Sequence, residues 1–529
     1  MKLFEMIGRG LRFDEPDGRF ELLETEGGQP SFFHGCRSAP APEAPDEQAV
    51  SPNLRESRRR LETDFFSEVN TDLVLREFRF CGAVSGLAAF LNGMADGGDI
   101  SDFILKRAME CPPPGNGQGL MDYALKEVFS LQEAETADRW AQVESAILEG
   151  RTAVLLSGER QAVLLDTRGY ACRGVGTAQN ESTVIGPSEA FHENLRISIT
   201  LLRRMVRRAD FVCEFRDLGS KNNVKLALCY LGGVCSDALL AEVKKRLSQV
   251  RTDVFLSAGT LGQRIEDRPW SPVPQTLLTE RPDRAAAALL AGKAVILVEG
   301  SPQALILPVT LSGLLLTPED SYLRRPAGSI LRFVRLFGAA VSVFLPAYFL
   351  ALAFHHQGLL SSDILSTVVS SRKLVFLPMG AEMIFLLLVF QLVREAGVRV
   401  PGAVGQTVGI IGGLILGQAA VSANFVSTVA LIIVALTGLG NFVIPNYDLQ
   451  IAVAYYRVAL CLLAILGGLL GLSCGIMAAL ILLADQKSFG VPFLAPYAPR
   501  TVVREPLFFR GDLTGQGRPQ DDMNGEGAL

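Results

Sequence analysis

Apolar and polar positions change their rhythm once along this chain of 529 residues. Up to about residue 325, apolar residues come in short runs broken by charge, glycine and proline. From about 330 to 484 they dominate. Val400 to Tyr447 holds no charged residue, which leaves room for two spans of roughly 20 residues each. Five hydrophobic segments follow from the pattern, at about 332–354, 374–393, 403–423, 427–446 and 456–484. Between the first two, His355 to Lys373 reads as a short amphipathic helix. The pattern predicts a polytopic α-helical membrane protein with an N-terminal soluble α/β region.

That soluble region repeats itself. Glu77 to Met109 and Glu214 to Leu247 both open on Glu-Phe-Arg, continue with an apolar run and a glycine-containing turn, and then turn amphipathic. "GRTAVLLSGERQAVLL" (Gly150 to Leu165) aligns with "GKAVILVEGSPQALIL" (Gly292 to Leu307) at a constant offset of 142. Each reads as a hairpin of two apolar strands around a glycine turn. Order and spacing together predict two duplicated α/β modules, 66–175 and 205–325. Residues 1–65 read as a flexible lead, 176–204 as a basic connecting helix, 326–484 as a membrane domain of four or five spans, and 485–529 as a polar tail.

The connecting stretch, Gly186 to Asp210, carries an apolar stripe of Leu195, Ile199, Leu202 and Val206. Ser188 stands where an N-cap would. Arg203, Arg204, Arg207 and Arg208 fall off the stripe and read as a solvated basic face, or as a contact for lipid headgroups or a partner.

Composition narrows the function. A net charge of −5 implies no broad nucleic-acid surface. The first residues lack the apolar core of a signal peptide, and Arg324, Arg325, Arg332 and Arg335 flank the first span. Both features predict a cytosolic soluble region. Nine scattered cysteines without CxxC spacing read as reduced thiols. The four histidines form no ligand pattern, and no nucleotide-binding or metalloprotease motif occurs. No metal, cofactor or catalytic activity is expected. In "TPEDSY" (Thr317 to Tyr322) Thr317 reads as a helix cap with Pro318 at the first helical position.

Inside the spans, Glu382, Gln391, Gln418 and Asn441 are the polar positions that bear on chemistry. An intramembrane carboxylate is costly and normally faces a bundle interior or an aqueous path. Glu382, about two turns in from the end of its span, therefore reads as a protonated or hydrogen-bonded packing group, as a pore or ion-site carboxylate favouring cations, or as an interfacial residue. Two glycine ladders, Gly409, Gly413, Gly417 and Gly467, Gly471, Gly475, have the spacing of close helix contacts, within one chain or between chains.

Several stretches resemble the A subunits of GerA-type spore germinant receptors. They are "ERPDRAAAALLAGKAVILVEGSP" (from Glu280), "TPEDSY", "LVREAGVRVP" (from Leu392), "GQTVGIIGGLILGQAAV" (from Gly405), "FVIPNYDL" (from Phe442) and "SFGVPFLAP" (from Ser488). The resemblance covers roughly 66–496 with order preserved. It implies a multi-pass protein of the spore inner membrane with a cytosolic N-terminal domain. It also implies a transporter-like B subunit and a lipoprotein C subunit as partners, and a homo-oligomer that conducts cations when nutrients are sensed. The sequence departs from the family in "GPSEAFHE" (from Gly186), and Leu387 and Gln391 stand where family members commonly carry further acids. The alternatives are the accessory stage V sporulation protein AF type and a secondary transporter.

Overall fold

The computed structural model describes residues 48–498, except 114–118, 130, 132, 170–175, 177, 179–180, 182, 184, 220, 256 and 400–416, together with 507–508. Two antiparallel five-stranded sheets occupy its N-terminal part. The first contains β1 (Leu73–Phe80), β2 (Val84–Leu91), β3 (Ala134–Ala137), β4 (Thr152–Leu156) and β5 (Ala162–Leu165), in the order β1-β2-β4-β5-β3. The second contains β6 (Phe211–Leu218), β7 (Val224–Leu231), β8 (Leu277–Thr279), β9 (Ala294–Val298) and β10 (Ala304–Leu307), in the order β6-β7-β9-β10-β8. The order repeats strand for strand. The repeated glycine-turn segments are the hairpins β4–β5 and β9–β10.

Those hairpin strands are buried along their whole length, because helices cover both faces of each sheet. Alternate side chains of a strand point to opposite faces, so each face has its own core. In the first module, α1 (Leu54–Asp64) and α2 (Trp140–Leu148) pack on Leu87, Leu155 and Leu164. Ile100, Ile104 and Tyr123 pack on Ala88, Val154 and Val163 behind them. In the second, α3 (Leu195–Met205) and α6 (Pro282–Leu290) cover one face, while α4 (Asp237–Gln249) and α5 (Ala258–Ile265) cover the other. Gly150 and Gly292 enter β4 and β9 with positive φ. A Cβ on either would press on a backbone oxygen, that of Met94 at 2.9 Å or Val234 at 3.2 Å.

Several expectations change here. The lead is shorter than 1–65, because Leu61 and Phe65 are buried against the first sheet. Residues 1–47 lie outside the described residues. Helix α3 starts at Leu195 under an Asn194 cap, not at Ser188. The stretch before it is pinned to the second module, with Phe191 buried and its N–H on the Glu280 carbonyl. The apolar stripe packs as read, but Arg203 is not on a solvated face. It lies inside the contact between modules, its Nε 2.8 Å from Asp72 Oδ2, its guanidinium 4.7 Å from the Phe211 ring centroid. Cys81 and Cys111 are disulfide-bonded, not reduced. The N–H of Cys81 on the Ala108 carbonyl brings the two segments together. The remaining described cysteines are free thiols.

After the second sheet comes a bundle of apolar helices. A four-residue turn of helix, α7 (Glu319–Tyr322), leads into α8 (Arg325–His355). Then follow the predicted short helix α9 (Ser362–Ser371), α10 (Met379–Arg399), α11 (Thr428–Phe442) and α12 (Tyr447–Ala484). Two of them, α8 and α12, are long and apolar enough to cross a membrane. Helix α11 is shorter, at 15 residues, and most of the predicted third span lies outside the described residues. Helix α12 is not straight. Gly468 leaves helical geometry with φ 58° and ψ −137°, and the helix folds back there. Gly475 then lies against Leu460, from which a straight helix would separate it by about 22 Å. Leu483 consequently returns to the core that holds Leu449 and Ala452, so both ends of α12 are at the second sheet.

The fold-back explains one glycine ladder. A Cβ on Gly471 would stand 2.1 Å from the Leu463 carbonyl oxygen, and one on Gly475 2.7 Å from Leu460, both within the same hairpin. A Cβ on Gly467 would meet nothing within 4 Å. In the other ladder, Gly417 makes only ordinary contact with Leu431, and Gly409 and Gly413 lie outside the described residues. Another close crossing lies between α8 and α11, where a Cβ on Gly440 would be 2.3 Å from the Gly338 carbonyl oxygen. Gly440→Ala is therefore expected to cost about 1–3 kcal/mol, read as a lower unfolding temperature of the full chain in detergent. Gly467→Ala is the control, with little change expected.

Candidate functional site

Five of the six stretches singled out above converge where the second sheet meets the bundle; most of the sixth, from Gly405, lies outside the described residues. The "ERPDR" segment opens α6 and "TPEDSY" forms α7. Tyr322 Oη donates to Asp283 Oδ2 at 2.7 Å, and Arg281 holds both oxygens of the same carboxylate at 3.0 and 2.7 Å. Arg284 Nη2 donates to the carbonyls of Gly313 and Leu316 at 3.1 and 3.2 Å. Burial, helped by the Asp283 hydrogen bond, pushes the Tyr322 phenol up to about 12, so its hydroxyl remains a donor near neutral pH.

Asp320, fully buried, ties α7 to the start of α8. Arg335 donates to its two oxygens at 2.8 and 3.1 Å, and Arg332 Nε lies 3.3 Å from Oδ2. The Thr317 N–H also donates to Oδ2, at 3.3 Å. Thr317 is thus not the helix cap; Pro318 occupies that position. Two of the arginines read as a flank of the first span are in fact structural ligands of this acid.

The segment after α12 closes the junction. It was expected to be a free polar tail, yet β11 (Lys487–Ser488) and β12 (Val491–Pro492) form a small hairpin packed on the second module. Ser488 Oγ donates to the Gln275 carbonyl at 2.7 Å and accepts from the Val309 N–H at 3.0 Å. Phe493 is fully buried in the core shared by α3, α6, the middle of α8 and the two ends of α12. Arg268 pairs with Asp485 at 2.6 Å. "FVIPNYDL" completes the contact: Ile444 and Leu449 enter the same core, and Asn446 caps α12. In "LVREAG", Glu395 accepts from Tyr447 Oη at 3.5 Å. One continuous apolar core, stitched by buried arginine–carboxylate pairs, therefore joins sheet and bundle.

The four polar positions predicted inside the spans do not come together. Glu382 lies in the first turn of α10, after Pro378, rather than two turns in. It is wholly enclosed. Its Oε1 accepts from the Ser427 N–H at 2.5 Å and from Ser427 Oγ at 2.7 Å; Oε2 accepts from Arg372 Nη1 at 3.0 Å. A carboxylate on the first N–H groups of α11 complements the positive end of that helix. Glu382 thus ties α9, α10 and α11 together at the end of the bundle far from the sheets. Asn441 is also fully buried, with Oδ1 3.4 Å from both Ser342 Oγ and Arg457 Nη2. Gln391 is half-buried and Gln418 exposed. Two buried arginines, Arg394 and Arg457, were missed among these positions. Each stands near the edge of an apolar run, where it reads as an interfacial charge. Among the described residues no cluster of side chains suits a metal ion.

Residues 60–520 match the family model described as "Bacillus/Clostridium GerA spore germination protein". The chain is 32% identical to Spore germination protein GerLA of Bacillus cereus, over 81% of this chain and 87% of that one. It is 31% identical to the uncharacterized membrane protein YfkQ of Bacillus subtilis, over 86% and 88%, and 33% identical to Spore germination protein A1 of the same organism, over 71% and 78%. A crystal structure of the N-terminal domain of the A subunit of the Bacillus megaterium spore germinant receptor GerK3 aligns with 49% of this chain and 96% of its own. Its identity is 22% and its TM-score 0.36. The match across nearly all of the described residues places this chain in the GerA spore germination protein family.

Proposed function

We propose that this chain is the A subunit of a nutrient germinant receptor and passes a partner's response to nutrient into ion release. The observation that carries this reading is the junction. Family membership supplies the process, and one shared core joins the second sheet to α8 and to both ends of α12, so a displacement of the soluble modules is transmitted to the helices. The bundle is proposed to sit multi-pass in the spore inner membrane with the sheets in the cytosol. Arginine-rich flanks at the sheet end, Arg324 and Arg325 among them, support that orientation. A transporter-like B subunit and a lipoprotein C subunit are the proposed partners, and a homo-oligomeric cation channel the proposed assembly.

In such a ring Glu382 is the acid of the second span closest to a pore role. Its enclosure by Ser427 and Arg372 favours a different task, that of an anchor which sets the far end of the channel-forming helices. Spores lacking the gene are expected to lose potassium and dipicolinate release to particular nutrients. Slowed release to every nutrient would indicate an accessory role instead. Unchanged release, with no second copy of the gene present, would refute the proposal.

A further inference from the structure

Arg394 on α10 and Arg457 on α12 pose a problem of charge. They are 6% and 3% exposed. Arg394 Nη1 donates to Gln450 Oε1 at 3.3 Å, and its guanidinium lies 5.5 Å from the Tyr447 ring centroid. Its Nε and Nη2 are buried with no hydrogen-bond partner among the described residues. Among the described residues Arg457 Nη2 reaches only the neutral Asn441 Oδ1, at 3.4 Å. Among the described residues neither arginine has an ion pair with a carboxylate. The uncharged run from Val400 to Tyr447 offers no acid, and Asp448 is exposed. Gln450, which holds Arg394, and Arg457 lie two turns apart on one face of α12.

Asn441 supplies a third orphan. Its oxygen faces Ser342 and Arg457, an orientation fixed by the arginine, which can only donate. Its Nδ2 is consequently a buried donor without a partner among the described residues. Burying one unpaired guanidinium carries a penalty of several kcal/mol, and two like charges add repulsion. The carboxyl end of α11 supplies at most about half a negative charge. The unmet groups around this point are all donors. The missing component is an acceptor bearing negative charge.

We infer that Arg394, Arg457 and Asn441 form a site for a phosphate oxyanion inside the bundle. Guanidinium forks match the spacing of phosphate oxygens. The site lies toward the sheet-proximal end, near the first turns of α12. Two sources share the chemistry: the headgroup of an anionic phospholipid, or free phosphate. The lipid source rests on the membrane reading of the bundle; the free-anion source does not.

The test uses the full chain in neutral detergent, freed of phospholipid and phosphate. Its thermal unfolding is followed on adding phosphatidylglycerol, phosphatidylcholine or sodium phosphate at constant ionic strength. The unfolding temperature is expected to rise by more than about 3 °C with phosphatidylglycerol or with phosphate. A response to phosphatidylglycerol alone identifies the headgroup; a response to phosphate alone identifies the free anion. The Arg394→Gln/Arg457→Gln double variant is expected to lose the response. If that variant does not accumulate, Arg457→Lys keeps the charge without the fork and is expected to weaken it. The proposal is overturned if neither probe shifts the native chain, if phosphatidylcholine acts equally, or if the variant responds like the native chain.

Discussion

Asp320→Ala is expected to cost about 3–5 kcal/mol, the usual penalty for removing one partner of a buried pair. Asp320 is fully buried between Arg332, which is buried too, and Arg335. Removing the acid leaves two guanidiniums facing one another with no charge between them. The change also deprives the Thr317 N–H of its acceptor. The two sheets do not depend on Asp320, whereas the link from the second sheet to α8 does. The expected outcome is selective: faster proteolytic cleavage between residues 316 and 325 and a lower unfolding temperature for the bundle, with the sheet modules still folded. Loss of all folded structure together would mean that the junction is not a separable link.

Glu382→Ala is expected to have a cost of similar size, about 3–5 kcal/mol. It strands Arg372 and leaves the Ser427 N–H without its acceptor. The effect belongs at the other end of the bundle, where α9, α10 and α11 meet. Glu382→Gln should be milder, because an amide oxygen can still accept from Ser427. This separates two roles for the residue. An anchoring carboxylate predicts that Arg372→Ala lowers stability much as Glu382→Ala does, and that the two changes together cost less than their sum. A pore charge predicts that Glu382→Gln alters cation flux at unchanged stability, with Arg372→Ala silent. Unfolding temperatures and potassium flux of the four proteins decide between them.

The repeated hairpins were legible because two signals coincide in them. Apolar strand runs recur in register with Gly150 and Gly292, whose positive φ and tight approach to a backbone oxygen disfavour a side chain. The apolar helices were legible from hydropathy alone. Tertiary pairing was not. Arg203 and Asp72 are 131 residues apart in sequence, and nothing local distinguishes Arg203 from Arg204 beside it, which is part exposed and on the rim. The ladder Gly467, Gly471, Gly475 has the spacing of a helix–helix contact, yet Gly468, outside the ladder, makes the turn that brings Gly471 and Gly475 against their own helix. Residues 485–498 bury Phe489, Val491 and Phe493, yet they read as a tail because Gly490, Pro492 and Pro496 break the stretch before any apolar period is established. The candidate site was legible as separate motifs; their meeting at one junction was not.

The relay through that junction is best tested by potassium release from spores in which only Tyr322→Phe is introduced. The substitution keeps the ring and removes the hydroxyl that reaches Asp283 at 2.7 Å. With the chain present at its normal level, nutrient-triggered potassium release is predicted to be delayed and slowed. Release at the native rate, with the protein at its normal level, would contradict a relay running from the second sheet through α7 into the bundle.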